Sequence, residues 1–377
     1  MAKGAKLNLL GLSRQKLEAF FTERGEKAFR ASQVLKWIHQ HGVIDIQAMT
    51  NLGRDLRARL MQTCEIRLPF SITEQQSVDG TRKWVLQLDD GNAIETVFIP
   101  EAERGTLCVS SQVGCALNCA FCATARQGFN RNLTAAEIIA QLWFVRRALQ
   151  EISAKRRIIT NVVFMGMGEP LLNFASTVDA IALMMDDDAY GLGKRKVTVS
   201  TSGIVPAIDR LREHIDVSLA VSLHAPDDAL RNQLVPLNRK YPIDELLAAC
   251  KRFVSGKNRK HTVTFEYVML KDINDSEQHA LALARRLHDL RAKVNLIPFN
   301  PFPQTHLNLR RSEDEVIDRF AAILQQRRIN TITRRTRGQD IDAACGQLVG
   351  QVNDRSRRRF HVMRLERNLC RENQPSL

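Results

Sequence analysis

The chain of 377 residues is long enough for a barrel-sized domain and a smaller accessory domain, and 44% of it is hydrophobic. It contains no run of 18 apolar residues and begins without a signal-peptide core, so we expect neither a spanning helix nor export. Eight cysteines, three of them clustered, favour a reducing cytoplasm and a cofactor site over a disulfide framework.

The net charge of +14 is placed unevenly. Residues 1–60 carry 11 Lys/Arg against 5 Asp/Glu, and residues 327–377 carry 12 against 5. Residues 61–326 are nearly neutral, with 32 against 31. Two basic ends around a neutral body predict a polyanionic partner, most simply a nucleic acid. Two solvated basic faces without a partner would produce the same counts.

The first 63 residues predict a small helical unit. Helices are predicted at 14–22, with Ser13 as N-cap, at 31–41 and at 52–62. Lys36, Arg54 and Arg57 are candidates for phosphate contacts, although an ordinary solvated face would look the same.

Residues 70–99 change to a period of two. Turns at Asp79-Gly80 and Asp90-Gly91 predict a three-stranded meander that ends in a strand over 93–99. Glu95 lies on that last strand, where a single glutamate usually faces solvent.

From residue 105 the pattern becomes strand, loop and helix, repeated six times. Strands are predicted near 107–111, 158–165, 196–201, 217–223, 262–268 and 294–298. Helices are predicted near 134–151, 176–186, 205–213, 243–254, 276–290 and 312–326. The fold class is therefore α/β, a partial (β/α)6 TIM-like barrel with a small N-terminal helical/β accessory domain. We divide the chain into an accessory RNA-binding domain over 1–100, a barrel over 101–328 and a C-terminal extension over 329–377.

The fourth predicted strand has two different faces. Val217, Leu219, Val221 and Leu223 form an apolar set, whereas the alternate positions are small or polar, at Ser218, Ala220, Ser222 and His224. A barrel filled by its own side chains would carry bulky branched residues inside. The small polar face therefore predicts an interior with room for a polar ligand.

Cys115, Cys119 and Cys122 have the spacing Cys-x3-Cys-x2-Cys, with Phe121 before the last. Three thiolates can hold three irons of a [4Fe–4S] cluster and leave the fourth iron open. This pattern resembles the radical S-adenosylmethionine (radical-SAM) enzymes. A zinc site or structural thiols are the alternatives, but zinc prefers four ligands and no second pair lies nearby.

Unusual residues follow several strands, at the end where such barrels place their active sites. In the segment 166–170, Gly166 and Gly168 would let the backbone approach a ligand, and Glu169 could accept from a cationic amine. His224 and Asn300 end two other strands; a buried hydrogen-bonded histidine and a turn residue are their ordinary explanations.

Residues 327–345 are predicted to leave the barrel. Cys345 stands uncrowded between Ala344 and Gly346, after a run of arginines and a glycine that could bend over the barrel mouth. A further basic cluster over 355–359 is predicted on a helix or tail.

Together, the motifs resemble the radical-SAM RNA adenine-C2 methyltransferases over almost the whole chain. The motifs are the three cysteines, the segments 166–170, 199–203 and 222–225, and the segments 297–301 and 344–348.

The resemblance implies a [4Fe–4S] cluster on Cys115, Cys119 and Cys122, and S-adenosylmethionine (SAM) as methyl donor and radical source. The implied SAM contacts are Gly168, Glu169, Ser200, Ser222, Leu223, His224 and Asn300. Cys345 would carry a methyl group, Cys108 would be its transient disulfide partner, and Glu95 is the candidate proton acceptor, with Cys108 as another.

The implied substrates are adenine 2503 of 23S ribosomal RNA and adenine 37 of some transfer RNAs. We also expect an electron donor such as flavodoxin, a cytoplasmic location, a monomer and no membrane. The same motifs fit a sibling enzyme that methylates C8 of the same ribosomal adenine. Two further alternatives are a radical-SAM enzyme acting on small molecules or peptides, and an RNA-binding protein with structural zinc.

Overall fold

The computed structural model of the chain describes residues 6–153, 156–256, 261–302 and 309–350. The strands are β1 (Leu7–Asn8), β2 (Cys64–Glu65), β3 (Phe70–Gln76), β4 (Arg82–Gln87), β5 (Ala93–Pro100), β6 (Gly105–Cys108), β7 (Gln112–Gly114), β8 (Phe129–Asn132), β9 (Asn161–Phe164), β10 (Val197–Thr201), β11 (Ser218–Ser222), β12 (Val263–Met269), β13 (Ala292–Pro298) and β14 (Asn330–Thr333). The helices are α1 (Arg14–Thr22), α2 (Arg30–Leu35), α3 (Arg54–Thr63), α4 (Ala123–Arg126), α5 (Ala135–Ala148), α6 (Phe174–Met185), α7 (Val205–His214), α8 (Asp228–Leu234), α9 (Ile243–Val254), α10 (Glu277–Leu287) and α11 (Asp314–Gln326).

The central sheet has ten strands in the order β14-β13-β12-β11-β10-β9-β6-β5-β4-β3. The six predicted barrel strands are β6 and β9 to β13, and each pairs in parallel with its neighbour. The predicted partial (β/α)6 barrel is confirmed. The expectation that the chain leaves the barrel after residue 327 is wrong, because β14 adds a seventh parallel strand beside β13. This strand is four residues long and exposes Ile332, so its pattern did not predict a buried strand. The domain division at residues 100 and 328 stays a prediction.

The predicted meander is formed by β3, β4 and β5, and it continues the barrel sheet through the antiparallel pairing of β5 with β6. Its turns contain Gly80 and Gly91 at φ values of 84° and 78°, a region that glycine adopts without strain. On one face Trp84 packs edge-on against Phe144 of α5. The opposite face, with Glu95 and Val97, looks toward the barrel interior.

The N-terminal helical unit is bound to the barrel by ion pairs. Arg14 on α1 lies 2.6 Å from both Asp186 and Asp188, and Lys36 lies 3.3 Å from Asp188. Helix α2 ends earlier than predicted and continues as one π-helical turn over Lys36–Gln40. The amine of Lys36, a candidate for RNA contact, is therefore engaged by a carboxylate of the barrel side.

The interior of the barrel follows the predicted alternation in part. Val217, Leu219, Val221 and Leu223 are buried, and Ser218 and Ala220 line a cavity inside the barrel, but Val217 and Leu219 contribute to the same lining. Within the described ranges, no helix has the length and apolarity needed to cross a membrane. The basic cluster at 355–359 and Cys370 lie outside the described residues.

Candidate active site

Two adjoining cavities occupy the barrel. The barrel cavity, of about 630 Å³, runs through the interior, and the mouth cavity, of about 150 Å³, lies at the carboxyl ends of the strands. Glu266, Asn300, Arg334 and Cys345 line both cavities. Most of the predicted site residues surround these two spaces.

The loop over residues 115–128, here called the cluster loop, is held at its base by the paired strands β7 and β8. The amide of Cys115 donates to the carbonyl of Gly128 at 2.7 Å. Gly114 has a φ of 76°, and a side chain there would overlap the Gly128 carbonyl oxygen. Ala120 donates to the carbonyl of Leu234 at 3.0 Å, which anchors the far side of the loop.

The three cysteines of the cluster loop are neighbours and poorly solvated. Burial raises the pKa of the Cys119 thiol to about 12, and burial together with the nearby Cys119 raises the pKa of Cys115 well above its usual value. Bare thiolates here would be costly, whereas iron deprotonates a coordinating thiol outright. In the chain as described, no three His, Cys, Asp or Glu side chains are arranged to hold a single metal ion. Ligands of a four-iron cluster bind different irons, so three separate buried thiols fit that group.

Arg231 is a site residue that the sequence analysis missed. It is fully buried, and its guanidinium donates to the carbonyls of Ser202 at 2.7 Å, Ser222 at 3.0 Å and Leu223 at 3.0 Å. Burial lowers the pKa of Arg231 to about 10, while the nearby Cys119 acts in the opposite direction. Arg231 thus ties together the ends of β10 and β11 and places a cation near the cluster loop.

Glu169 is buried at the rim of the mouth cavity. Its carboxylate accepts from the amides of Leu171 at 3.1 Å and Ser202 at 2.7 Å, and burial raises its pKa to about 7. Gly168 also has a structural reason to be a glycine. Its φ is 97°, and a Cβ there would lie 2.5 Å from the Cβ of Gln112, so the glycine admits the start of β7. The close approach of its backbone to a ligand stays a prediction.

The other predicted SAM residues divide into two groups. Gly168, Glu169, Ser200, Ser222, His224 and Asn300 line the mouth cavity. Leu223 is fully buried and is absent from the lining of that cavity. Its backbone amide donates to the carbonyl of Glu266 at 3.1 Å.

His224 combines both of its interpretations, because it is hydrogen-bonded and also lines the cavity. Its Nδ1 accepts from the amide of Val268 at 3.0 Å, and its ring centre is 4.3 Å from that of Phe121. Burial and the nearby Arg231 lower the pKa of His224 to about 3. The ring is therefore neutral at pH 7, with its proton on Nε2.

Residues 338–350, here called the Cys345 loop, bend over the barrel mouth as predicted. The carbonyl of Gly346 accepts from the amide of Ala123, directly after the cluster loop's last cysteine, at 2.7 Å. Thr124 donates to the carbonyl of Leu348 at 2.6 Å, and Gln347 donates to that of Pro301 at 2.9 Å. These bonds hold Cys345 beside the cluster loop.

Cys108 and Cys345 are free thiols that line the barrel cavity together. Cys108 ends β6, and Cys345 is exposed. Burial and the nearby Cys345 raise the pKa of Cys108 to about 12. Two residues 237 positions apart in the chain therefore face one space.

Arg334 places a cation beside the sulfur of Cys345. Its Nη1 lies 3.8 Å from Cys345 Sγ, 3.8 Å from Glu266 Oε2 and 3.9 Å from Met165 Sδ. A neighbouring cation favours the thiolate form of a cysteine. Arg334 and Glu266 were not among the predicted site residues.

Glu95 does not face solvent, so the ordinary expectation for a glutamate on this strand is wrong. It is 3% exposed, and its Oε1 lies 3.4 Å from Nζ of Lys83, another buried residue. Its Oε2 accepts from the amide of Val349 at 3.0 Å. Burial raises the pKa of Glu95, and Lys83 acts against that rise. The carboxylate lies beneath the Cys345 loop.

Two family models match the chain. The Ribosomal RNA large subunit methyltransferase N-terminal domain matches residues 7–66, and the Radical SAM superfamily matches residues 109–284. A protein of Marinobacter nauticus is 58% identical over 353 residues, covering 94% of this chain and 95% of its own. One from Pseudomonas putida is 56% identical over 354 residues, covering 94% and 92%. Both are named Dual-specificity RNA methyltransferase RlmN. The chain belongs to the RlmN family.

The structure agrees with membership of the RlmN family. The crystal structure of a radical SAM methyltransferase from Sphaerobacter thermophilus has a TM-score of 0.83 and 44% identity, covering 91% of this chain and 99% of that one. This RlmN-family chain is therefore a SAM-dependent RNA methyltransferase of the radical-SAM type, and its family uses a [4Fe–4S] cluster and SAM. The C8 methyltransferase alternative is not favoured by these relatives.

Proposed function

We propose that this enzyme methylates C2 of an adenine in RNA and carries the methyl group on Cys345 during the reaction. The proposed targets are adenine 2503 of 23S ribosomal RNA and adenine 37 of transfer RNA. The observation that carries the proposal is the placement of Cys345 and Cys108 on one cavity, with the Cys345 loop bound to the cluster loop. The dual-specificity name of the relatives supports two RNA substrates.

In this proposal Cys115, Cys119 and Cys122 hold the [4Fe–4S] cluster. The residues that hold SAM are Gly168, Glu169, Ser200, Ser222, Leu223, His224 and Asn300. When bound, this pair of groups supplies a carbon-centred radical by one-electron cleavage of SAM. The neutral His224 ring gives the mouth cavity a hydrogen-bonding group, and the buried Glu169 gives it a carboxylate. A carboxylate there suits SAM, which carries positive charge.

Cys345 acts first as a nucleophile, since its sulfur accepts a methyl group from SAM by displacement. Arg334 is placed to assist this step, because its guanidinium lies 3.8 Å from the sulfur. C2 of adenine lies between two ring nitrogens and is too electron-poor to attack a methyl sulfonium itself. A carrier on the protein is therefore needed between SAM and the base.

Cys108 acts last. After the methylene carbon has joined the base to Cys345, Cys108 attacks the sulfur of Cys345. The disulfide bond forms, the bond between that sulfur and the methylene carbon breaks, and the departing carbon takes up a proton to become the methyl group of the freed base. Glu95 accepts the C2 proton in this scheme. Cys108 is the alternative acceptor.

RNA is held through its phosphates by the basic ends of the chain, and the target base leaves its stack to enter the barrel. Few aromatic residues, 6% of the chain, are available to stack on bases. We further propose an electron donor such as flavodoxin, a monomer and a cytoplasmic location.

Two cysteine variants test the order of events. Cys108→Ala leaves protein covalently attached to RNA, because the adduct forms without its resolving thiol. Cys345→Ala gives neither adduct nor product. Cys250→Ala, in the buried core of α9, is the matched control and retains activity. Denaturing gels of labelled RNA read all three, and methylation by Cys345→Ala would end the carrier role.

The position of the methyl group is tested by mass spectrometry of nucleosides from RNA treated with the enzyme. The expected product is 2-methyladenosine in both RNA classes. An 8-methyladenosine product would overturn the proposed regiochemistry while leaving the cysteine chemistry intact.

A further inference from the structure

The Cys345 loop is anchored on the meander as well as on the cluster loop. The carboxylate of Asp340 accepts from Ser77 Oγ at 2.5 Å and from the amide of Val78 at 3.2 Å. The amide of Gly338 donates to Asp79 at 3.0 Å. The β3–β4 turn therefore fixes the start of the loop.

A second anchor reaches both flanks of Cys345 from inside the sheet. Lys83 Nζ donates to the carbonyl of Asp342 at 3.3 Å, three residues before Cys345. Glu95 Oε2 accepts from the amide of Val349, four residues after it. Because Lys83 and Glu95 also form an ion pair, one buried pair holds both sides of the loop.

The strand register places this pair next to the chemistry. Lys83 pairs with Val97 across β4 and β5, and Val97 pairs with Cys108 across β5 and β6. Directly paired residues share a face, as do residues two apart on one strand, such as Glu95 and Val97. Lys83, Glu95 and Cys108 therefore lie on the interior face of the sheet, beneath the Cys345 loop.

We propose that Lys83 is a positioning residue that makes docking of the Cys345 loop depend on the charge of Glu95. The inference rests on the proposed function, in which Glu95 receives the proton from C2 of the base. While Glu95 is ionised, its ion pair with Lys83 and its hydrogen bond with Val349 keep the Cys345 loop docked. Cys345 then stays beside the cluster loop. When the proton arrives, Lys83 loses its counter-ion and the bond to Val349 weakens. The anchored ends of the loop then loosen, Cys345 can shift from the cluster loop toward Cys108 on the same cavity, and the proton passes to solvent.

The charged groups that face Glu95 determine the sign of this dependence. Burial raises the pKa of Glu95, Lys83 on β4 lowers it, and Asp342 on the loop raises it. Removing the cation from Lys83 must therefore raise that pKa further, so that the loop is released at a higher pH.

Hydrogen exchange of the full-length holoenzyme without RNA tests the proposal. Exchange is measured for the Val349 amide and for peptides spanning 338–350 between pH 5 and pH 9, corrected for intrinsic rates. In the wild type, protection falls as the pH decreases through the titration of Glu95. Lys83→Met moves the midpoint of this loss to higher pH by at least about one unit, and Lys83→Arg restores it toward the wild-type value. Glu95→Gln removes the pH dependence.

Asp340→Asn is the matched control, because it weakens the first anchor without touching the ion pair. It lowers protection at every pH and leaves the midpoint in place. An unchanged midpoint in Lys83→Met, or an equal shift in Asp340→Asn, would overturn the proposal. The exchange measurement needs neither RNA nor radical chemistry. The Lys83 proposal can therefore be refuted while the enzyme still forms 2-methyladenosine, and it can be supported even if the enzyme forms a different product.

Discussion

Substitution of Arg231 tests whether a buried cation assembles the carboxyl ends of the barrel strands. Its guanidinium donates to three backbone carbonyls, those of Ser202, Ser222 and Leu223, and to Asn238 at 2.8 Å. Arg231→Met keeps much of the side-chain volume and removes all of these donors. Arg231→Lys keeps the charge but loses the planar fork that reaches several carbonyls at once.

The expected cost follows from the carbonyls that would be left without their donor. A buried acceptor that loses its partner costs about 1–3 kcal/mol, so three of them cost at least about 3 kcal/mol in Arg231→Met. Arg231→Lys should lose about half as much, since an ammonium can reach one or two of the three. Ser222 lines the mouth cavity, so we expect the affinity for SAM to fall in the same order.

The assay is urea unfolding of anaerobically purified protein, followed by tryptophan fluorescence, with SAM affinity measured by equilibrium dialysis. Arg252→Met is the matched control. Arg252 is an exposed arginine paired with Asp209 at 2.8 Å, and such pairs contribute about 1 kcal/mol or less. Unfolding of Arg231→Met within about 1 kcal/mol of the wild type, with unchanged SAM affinity, would refute the reasoning.

Three further substitutions address the site and its support. Arg334→Met should slow methylation of Cys345 by at least about tenfold, because the attacking sulfur loses its neighbouring cation; peptide mass spectrometry after one turnover measures the rate. His39 is hydrogen-bonded to Tyr190, and burial lowers its pKa to about 3. The neutral ring therefore contributes fully to the stability of the folded state above pH 6.5, and this contribution is lost as the pH falls toward 3. We expect the free energy of unfolding to drop by about 2 kcal/mol between pH 7 and pH 5, and by less in His39→Gln. Gly168→Ala should destabilise the protein by about 2 kcal/mol or more and weaken SAM binding, because its φ is 97° and a Cβ would clash.

Each of these three has a control of the same residue type. Arg310→Met removes an exposed arginine paired with Asp272 and should leave the methylation rate unchanged. His288→Gln changes an exposed histidine and should keep the wild-type pH dependence. Gly25→Ala has a φ of 74° but open space around it, so it isolates backbone strain, about 1 kcal/mol. Equal effects in a variant and its control would contradict the corresponding explanation.

Local pattern was sufficient for the six predicted barrel strands, although not for β7, β8, β14 or α8, which also position the site. The alternation in the strand that contains Ser218 and Ser222 predicted its cavity-lining face correctly, because Ser218, Ala220, Ser222 and His224 all line one of the two cavities. The cysteine spacing likewise predicted a shared loop, since the three residues are close in sequence and need no distant partner to be recognised.

Burial of charge could not be predicted in the same way. Lys83 is buried because Glu95 and the carbonyl of Asp342 receive it, and that carbonyl lies 259 positions away. Arg334 follows a short seventh strand whose exposed Ile332 does not have the pattern of a buried one. At both positions the sequence shows only a basic residue, on a strand for Lys83 and directly after one for Arg334, and the folded chain determines which carboxylate or sulfur it meets.

The position of Glu95 shows why both kinds of information are needed for the mechanism. The resemblance to the family identified the residue, whereas its strand pattern favoured a solvent-facing side chain. The structure shows an acid that is covered by the Cys345 loop it helps to hold, with burial raising its pKa and Lys83 opposing the rise. If Glu95 is the proton acceptor of the proposed function, its cover makes access to it depend on movement of the loop. In the same proposal Cys345 serves first SAM and then Cys108, and movement of the loop would serve both steps.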